Sequence, residues 1–97
     1  MNVISWPRLR EFAKRYPDAD ESLSACFKRA RRAQWQNLAE VKADYPHADL
    51  VGKCTVFNIG GNKYRLIVSI NYRGQAIFIN NVLTHREYDG EEWKDEC

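Results

Sequence analysis

The chain is poor in the residues from which most metal and redox sites are built. Its three cysteines (Cys26, Cys54 and Cys97) and two histidines (His47 and His85) are scattered over 97 residues without a Cys-x-x-Cys pair. Neither a zinc site nor a disulfide framework is indicated. Reduced thiols are therefore expected, with Cys26 and Cys54 as small buried apolar residues and Cys97 incidental. No apolar run approaches the roughly 18 residues of a membrane span, and the opening MNVISWPRLREF lacks the apolar stretch of a signal peptide. A cytoplasmic protein without membrane contact is expected. There is also no Walker loop, dinucleotide fingerprint or Ser-His-Asp arrangement, so no cofactor and no metal is expected.

Acidic residues are scarce over much of the second half. Residues 51–88 carry Lys53, Lys63, Arg65, Arg73 and Arg86 against Glu87 alone, whereas residues 89–97 carry Asp89, Glu91, Glu92, Asp95 and Glu96 against Lys94. A basic segment is thus followed by a short acidic tail. The tail is expected to be a solvated end; the alternative is that it folds over the basic face and moderates phosphate binding. With 44% hydrophobic and 29% charged residues, the composition is that of a globular domain. A chain of this length forms one domain, residues 1–97, burying about two-thirds of its unfolded surface.

The first half reads as helical. Ser5 is placed to cap a helix with Trp6 and Pro7 at its first positions, and Leu9, Phe12, Ala13 and Tyr16 make an amphipathic stripe that Pro17 ends. Ahead of it, residues 2–5 form a short segment compatible with a strand. A second helix fits from about Asp20 to Gln34, with Leu23, Cys26, Phe27, Ala30 and Ala33 inward. Its outer face carries Lys28, Arg29, Arg31 and Arg32, either as a solvated face or as an attachment to a polyanion such as ribosomal RNA. Asn37 and Glu40 have the spacing of a helix cap, and Pro46 closes that shorter helix. His47, in the loop, reads as a surface histidine. Trp6, Trp35 and Trp93 read as core or partner contacts.

The second half reads as strands. A two-residue Gly60-Gly61 loop would pair Ile59 with Asn62 and Phe57 with Tyr64. Alternation then puts Phe57, Tyr64, Leu66, Val68 and Ile70 on the core side, and Asn58, Lys63, Arg65, Ser69 and Asn71 on a polar side suited to function. A turn at residues 72–75 leads into a strand from Ala76 to Leu83, where Asn80-Asn81 is compatible with a bulge. That bulge leaves the side on which His85 falls undetermined.

The string FNIGGNKYRLIV (57–68), the segment THREYD (84–89) and the order of helices before sheet resemble the HigB branch of the RelE-like toxins of type II toxin–antitoxin systems, over nearly the whole chain. The resemblance implies an α+β fold, with N-terminal helices packed on one face of a small twisted antiparallel sheet and an RNA-binding concavity on the other. It also implies an mRNA endoribonuclease acting on translated message at the ribosome, without metal. The implied partner is a helix-turn-helix, HigA-like antitoxin, through which alone operator DNA would be bound.

Metal-free RNA cleavage uses the neighbouring 2′-hydroxyl as nucleophile. The site must remove one proton, supply another and stabilise a doubly charged phosphorane. Arg65 suits the last task, because a guanidinium is always charged and matches phosphate oxygens bidentately; the resemblance gives the arginine of this Tyr-Arg pair a catalytic role. His85 is the natural proton carrier, since an unperturbed imidazole titrates at about pH 6.5, with stabilisation of charge as its alternative role. Tyr88 is expected to stack on a base or pass a proton. Lys63, Asn58, Asn62, Arg86 and Arg73 complete the expected RNA-binding set. Asn58 stands where related branches often carry lysine, so the site has one cation fewer. This departure keeps open a second reading, a non-catalytic RNA- or protein-binding domain of the same fold.

Overall fold

The computed structural model describes residues 1–4, 11–12, 14–61 and 63–97, with Glu96 lacking a described side chain. The expected cap and first positions at Ser5, Trp6 and Pro7, with Leu9 and Ala13 of the stripe, lie outside the described residues. Glu11, Phe12, Lys14 and Arg15 are helical, and Phe12 and Tyr16 pack against the core as the stripe requires.

Pro17 ends this turn and also opens α1 (Pro17–Arg32), because the first turn of a helix has no use for the N–H that proline lacks. Asp18 and Asp20 lie in its first turn and Arg29, Arg31 and Arg32 in its last, the polarity the helix dipole favours. Its buried stripe is Ala19, Leu23, Cys26, Phe27 and Ala30. The helix starts three residues before the expected Asp20 and stops at Arg32, leaving Ala33 as its extended C-cap. In α2 (Leu38–Asp44), Asn37 accepts from the Glu40 amide at 3.0 Å while Glu40 Oε1 accepts from the Gln36 amide at 3.1 Å. The expected cap is present.

Among the described residues five strands follow the order β1-β5-β4-β3-β2: β1 (Asn2–Ile4), β2 (Asp49–Val51), β3 (Cys54–Ile59), β4 (Tyr64–Asn71) and β5 (Ala76–Thr84). The sheet is mixed rather than purely antiparallel, because β1 joins β5 in parallel while every other pairing is antiparallel. Edge strand β2 was not legible in the sequence: it is three residues long and two of them are exposed.

The β3–β4 hairpin closes at Ile59 with Tyr64 and pairs Asn58 with Arg65, two residues displaced from the expected register. A slip of two leaves every side chain on its face, so the hydrophobic pattern could not distinguish the two registers. Lys63 becomes part of the loop, its amide bonded to the Gly60 carbonyl at 3.3 Å. Gly60 and Gly61 both have φ near +61°, conformations that disfavour side chains bearing a Cβ. The bulge is at Asn80: Ile67 faces Asn81 whereas Val68 faces Ile79.

On one face of the sheet, Phe57, Ile59, Tyr64, Leu66, Val68, Ile77, Ile79 and Val82 pack with the buried residues of α1 and α2, each large apolar side chain contributing about 1.5–3 kcal/mol by leaving water. The other face differs from expectation. Besides Asn58, Arg65, Ser69 and Asn71, it carries Val56, Ile67 and Leu83, and these are buried with Cys54 beneath Trp93. The acidic tail is therefore not a free solvated end. After α3 (His85–Asp89) the chain turns at Gly90 and Glu91 into a 3₁₀ turn, Glu92–Glu96, that returns across this face.

The expectation of three reduced cysteines is corrected as well. Cys54 and Cys97 form a disulfide across a sequence separation of 43, tying the end of the tail to the start of β3. Cys26 is free and buried, as expected. Among the described residues no helix is long and apolar enough to cross a membrane.

Candidate functional site

The site forms where β4, β5 and α3 meet. Arg65 is the second residue of β4, flanked in register by Asn58 of β3 and Leu83 of β5. Its side chain points to the outer face, and the residue is only 7% exposed. Burying a guanidinium is costly unless its charge is engaged. Here Nη1 donates to the Tyr64 carbonyl at 3.2 Å, Nη2 lies 3.3 Å from His85 Nδ1, and Cζ sits 5.1 Å from the centre of the Tyr88 ring.

The chain supplies His85 and Tyr88 by changing from strand to helix at Thr84. Thr84 Oγ1 accepts from the Glu87 amide at 3.2 Å, and Glu87 Oε1 accepts from the Thr84 amide at 3.1 Å, a reciprocal capping box. The Thr-x-x-Glu spacing of residues 84–87 is the sequence signal for this helix start, which the reading of a strand ending at Leu83 left unused. The helix puts His85 and Tyr88 three residues apart, hence on one face, above Arg65. The His85 amide donates to the Lys63 carbonyl at 3.0 Å, which fixes the helix start to the β3–β4 loop.

Two further residues belong to the cluster. Asp89 Oδ2 is 3.6 Å from His85 Nε2, at the i, i+4 spacing. Trp93 stacks on Tyr88 with centroids 4.8 Å apart and planes at 17°. Arg65 and Trp93 thus both lie against the phenol ring of Tyr88. Asp89 was legible from its helical spacing to His85. Trp93 was foreshadowed by Val56, Ile67 and Leu83, apolar side chains on an otherwise polar face that require a cover.

The other expected residues are dispersed. Asn58 is exposed beside Arg65, and Arg86 is exposed next to His85. The Lys63 ammonium is directed to Asp18 at 3.7 Å, at the start of α1, because Lys63 lies in the loop and not on β4. The Asp18 carboxylate also accepts from the Tyr64 hydroxyl at 2.7 Å. This hydrogen bond holds the Asp18 carboxyl below its ordinary range and pushes the Tyr64 hydroxyl up to about 12. Arg73 lies in the turn after β4, roughly 25 Å along the strand from Arg65 at 3.3 Å per residue. Asn62 lies outside the described residues. On α1, Arg29 is drawn toward α2, 3.6 Å from Asp44 and over the Tyr45 ring. Among the described residues, no three His, Cys, Asp or Glu side chains converge as the ligands of a metal would.

The arrangement combines a buried fixed cation, an imidazole, a phenol hydroxyl and a carboxylate at one rim of a sheet. Those groups meet the requirements of phosphodiester transfer: charge stabilisation from the cation and proton transfer from the neighbouring groups.

Residues 19–91 match the family described as HigB toxin, RelE-like toxic component of a toxin–antitoxin system. Over 92 residues, covering 92% of this chain and 88% of each relative, the sequence is 30% identical to the mRNA interferase toxin HigB of Escherichia coli (strain K12) and to the mRNA interferase HigB of Shigella flexneri. It is 27% identical to the mRNA interferase HigB of Escherichia coli O6:H1, over 92% of this chain and 89% of that one.

Proposed function

The chain belongs to the HigB toxin family, the RelE-like toxic components of toxin–antitoxin systems, and from that premise we propose that it is an mRNA endoribonuclease that stops translation by cutting message on the ribosome. The observation that carries the reading is the convergence of Arg65, His85 and Tyr88 within one cluster. In the proposed reaction the 2′-hydroxyl attacks the adjacent phosphorus and the P–O5′ bond breaks, leaving a 2′,3′-cyclic phosphate and a 5′-hydroxyl.

Arg65 stabilises the charge that builds on the phosphorane. Its near-complete burial makes that interaction stronger than it would be in water. His85 exchanges a proton with the reacting oxygens, oriented by Arg65 at one ring nitrogen and Asp89 at the other. The Tyr88 hydroxyl is the second proton-transfer group, its ring being engaged by Arg65 and Trp93. Asn58 and Arg86, exposed on either side of this cluster, contact the RNA backbone.

As a toxic component, the protein has an antitoxin partner. We assign that partner to the helix-turn-helix, HigA-like class, with operator DNA bound only through it. The relatives named mRNA interferase support message as the substrate. The exposed basic face of α1, with Lys28, Arg31 and Arg32, supports attachment to ribosomal RNA through screened phosphate contacts.

The test is cell-free translation on programmed ribosomes with the ends of the message mapped. The reading requires 5′-hydroxyl ends that appear only on translated message and are lost in Arg65→Ala. Cutting of naked RNA would retain the nuclease and remove the ribosome. Intact message with folded protein would overturn the reading in favour of a binding domain.

A further inference from the structure

The tail beyond residue 91, where the family match ends, is held to the sheet at several points. The Lys53 amide donates to the Cys97 carbonyl at 3.0 Å, and Cys97 is bonded to Cys54. Gly52, at φ +59°, lies so close that a Cβ there would come within 2.6 Å of the Cys97 carbonyl oxygen, so the loop before β3 is shaped to receive the chain end. Glu91 takes a left-handed conformation at φ 62°, the reversal that sends the tail back across the sheet.

What this docking delivers to the site is Trp93. The residue is 6% exposed and packs with Val56, Ile67 and Leu83. Its indole N–H donates to the Tyr88 carbonyl at 2.8 Å while its ring lies against the Tyr88 ring. The result links guanidinium, phenol and indole by ring contacts, Arg65 to Tyr88 and Tyr88 to Trp93.

The helix that carries Tyr88 needs such support. It has five residues, none of them buried, and a helix this short does not hold itself together in water. The capping box at Thr84 fixes its start, and Trp93 grips both the backbone and the ring of Tyr88 near its end. Resting on the catalytic reading above, we infer that Trp93 is a positioning residue for cleavage, holding Tyr88 in its place over Arg65 through ring stacking and the indole hydrogen bond. It acts through Tyr88.

The experiment compares full-length wild type, Trp93→Ala and Trp93→Phe. Steady-state cleavage over a range of programmed-ribosome concentrations is measured alongside side-chain Nε–H exchange of Arg65 in ¹⁵N-arginine-labelled protein. Because errors of about 1 Å in placement cost around a hundredfold in rate, Trp93→Ala should lower kcat by roughly ten- to a hundredfold with KM changed by less than about threefold. Arg65 exchange should accelerate by at least about tenfold as the stack opens. Trp93→Phe keeps the stack and should recover most of both readouts.

Cleavage and Arg65 exchange at wild-type levels in folded Trp93→Ala overturn the inference. A rise in cleavage overturns it too, because the tail would then be a cover and not a support. Equal damage in Trp93→Ala and Trp93→Phe, with the melting transition lost in both, would reduce Trp93 to a general packing role. If wild type itself cuts no message, the catalytic reading fails, and the exchange measurement alone decides whether Trp93 holds the stack.

Discussion

Arg65 Nη2 lies 3.3 Å from His85 Nδ1, and in that contact only the guanidinium can donate. It has five N–H donors and no acceptor, so it grips the ring at Nδ1, while Nε2 faces Asp89 at 3.6 Å. Arg65 therefore has two tasks: it presents charge to the phosphate and orients the histidine ring. We predict that Arg65→Lys fails nearly as badly as Arg65→Ala, because an ammonium cannot reproduce the planar fork that reaches both Tyr64 and His85. Both variants should lose roughly 10²–10³-fold in cleavage rate while still binding antitoxin. Near-normal cutting by Arg65→Lys would show that charge alone suffices.

The same geometry gives Asp89 a smaller effect of its own. Its separation from His85 is long for a hydrogen bond and both side chains are more than half exposed, so solvent screens the pair and its contribution to folding is small. Orientation is the larger consequence. Asp89→Asn should slow cleavage by about tenfold without altering the melting temperature, whereas His85→Ala should lose roughly 10²–10⁴-fold. A stability loss in Asp89→Asn that matches the activity loss would contradict this division.

The candidate site is partly legible in the sequence. Alternation along YRLIV puts Arg65 opposite the core side whatever the hairpin register, because a two-residue slip conserves faces. The sequence puts His85 and Tyr88 just past the last strand, but their geometry hinges on the helix start that the Thr-x-x-Glu spacing signals and on the Asn80 bulge, whose effect on sidedness pattern alone could not settle. Lys63 was misplaced because a four-residue loop, unlike a two-residue one, takes it off the strand and toward Asp18. The docked tail stood only as the alternative to a solvated end. Its acidic composition reads as solvated, yet one tryptophan and one cysteine override that composition once Val56, Ile67 and Leu83 require covering. The pairing of Cys54 with Cys97 is set by tertiary approach, which spacing in the sequence does not encode.

The disulfide makes the tail sensitive to thiols. Closing a loop of this size restricts the unfolded chain, and loss of the bridge should cost about 2–4 kcal/mol. Denaturant unfolding with and without an excess of a small dithiol measures this. The dithiol supplies two electrons and two protons, becomes a disulfide, and leaves Cys54 and Cys97 as thiols. Cys97→Ser should behave like the reduced wild type and show no further response to dithiol. Because the bridge anchors the turn that carries Trp93, cleavage should fall in the reduced form by less than in Trp93→Ala, since packing against Val56 and Ile67 remains. A stability difference below about 0.5 kcal/mol between oxidised and reduced wild type would mean that the tail docks without its tether.

A second hydrogen bond across the fold carries a pH signature. The Tyr64 hydroxyl donates to Asp18 at 2.7 Å, linking β4 to the first turn of α1. The Asp18 carboxyl titrates below its ordinary value because it accepts this bond, with Lys63 adding to the effect. A carboxyl lowered on folding contributes stability above its unfolded pKa and loses that contribution as the pH falls through its folded pKa. The Tyr64 hydroxyl, pushed up to about 12 by the same bond, contributes fully below its unfolded value near 10, and the contribution disappears as the pH rises toward 12. The advantage of wild type over Tyr64→Phe in thermal melts should therefore be flat from about pH 5 to 9 and shrink at both extremes. No advantage of wild type over Tyr64→Phe at neutral pH would show that the hydroxyl bond is not what joins α1 to the sheet, leaving the ring contacts with Phe12 and Tyr16, which the variant retains, to do so.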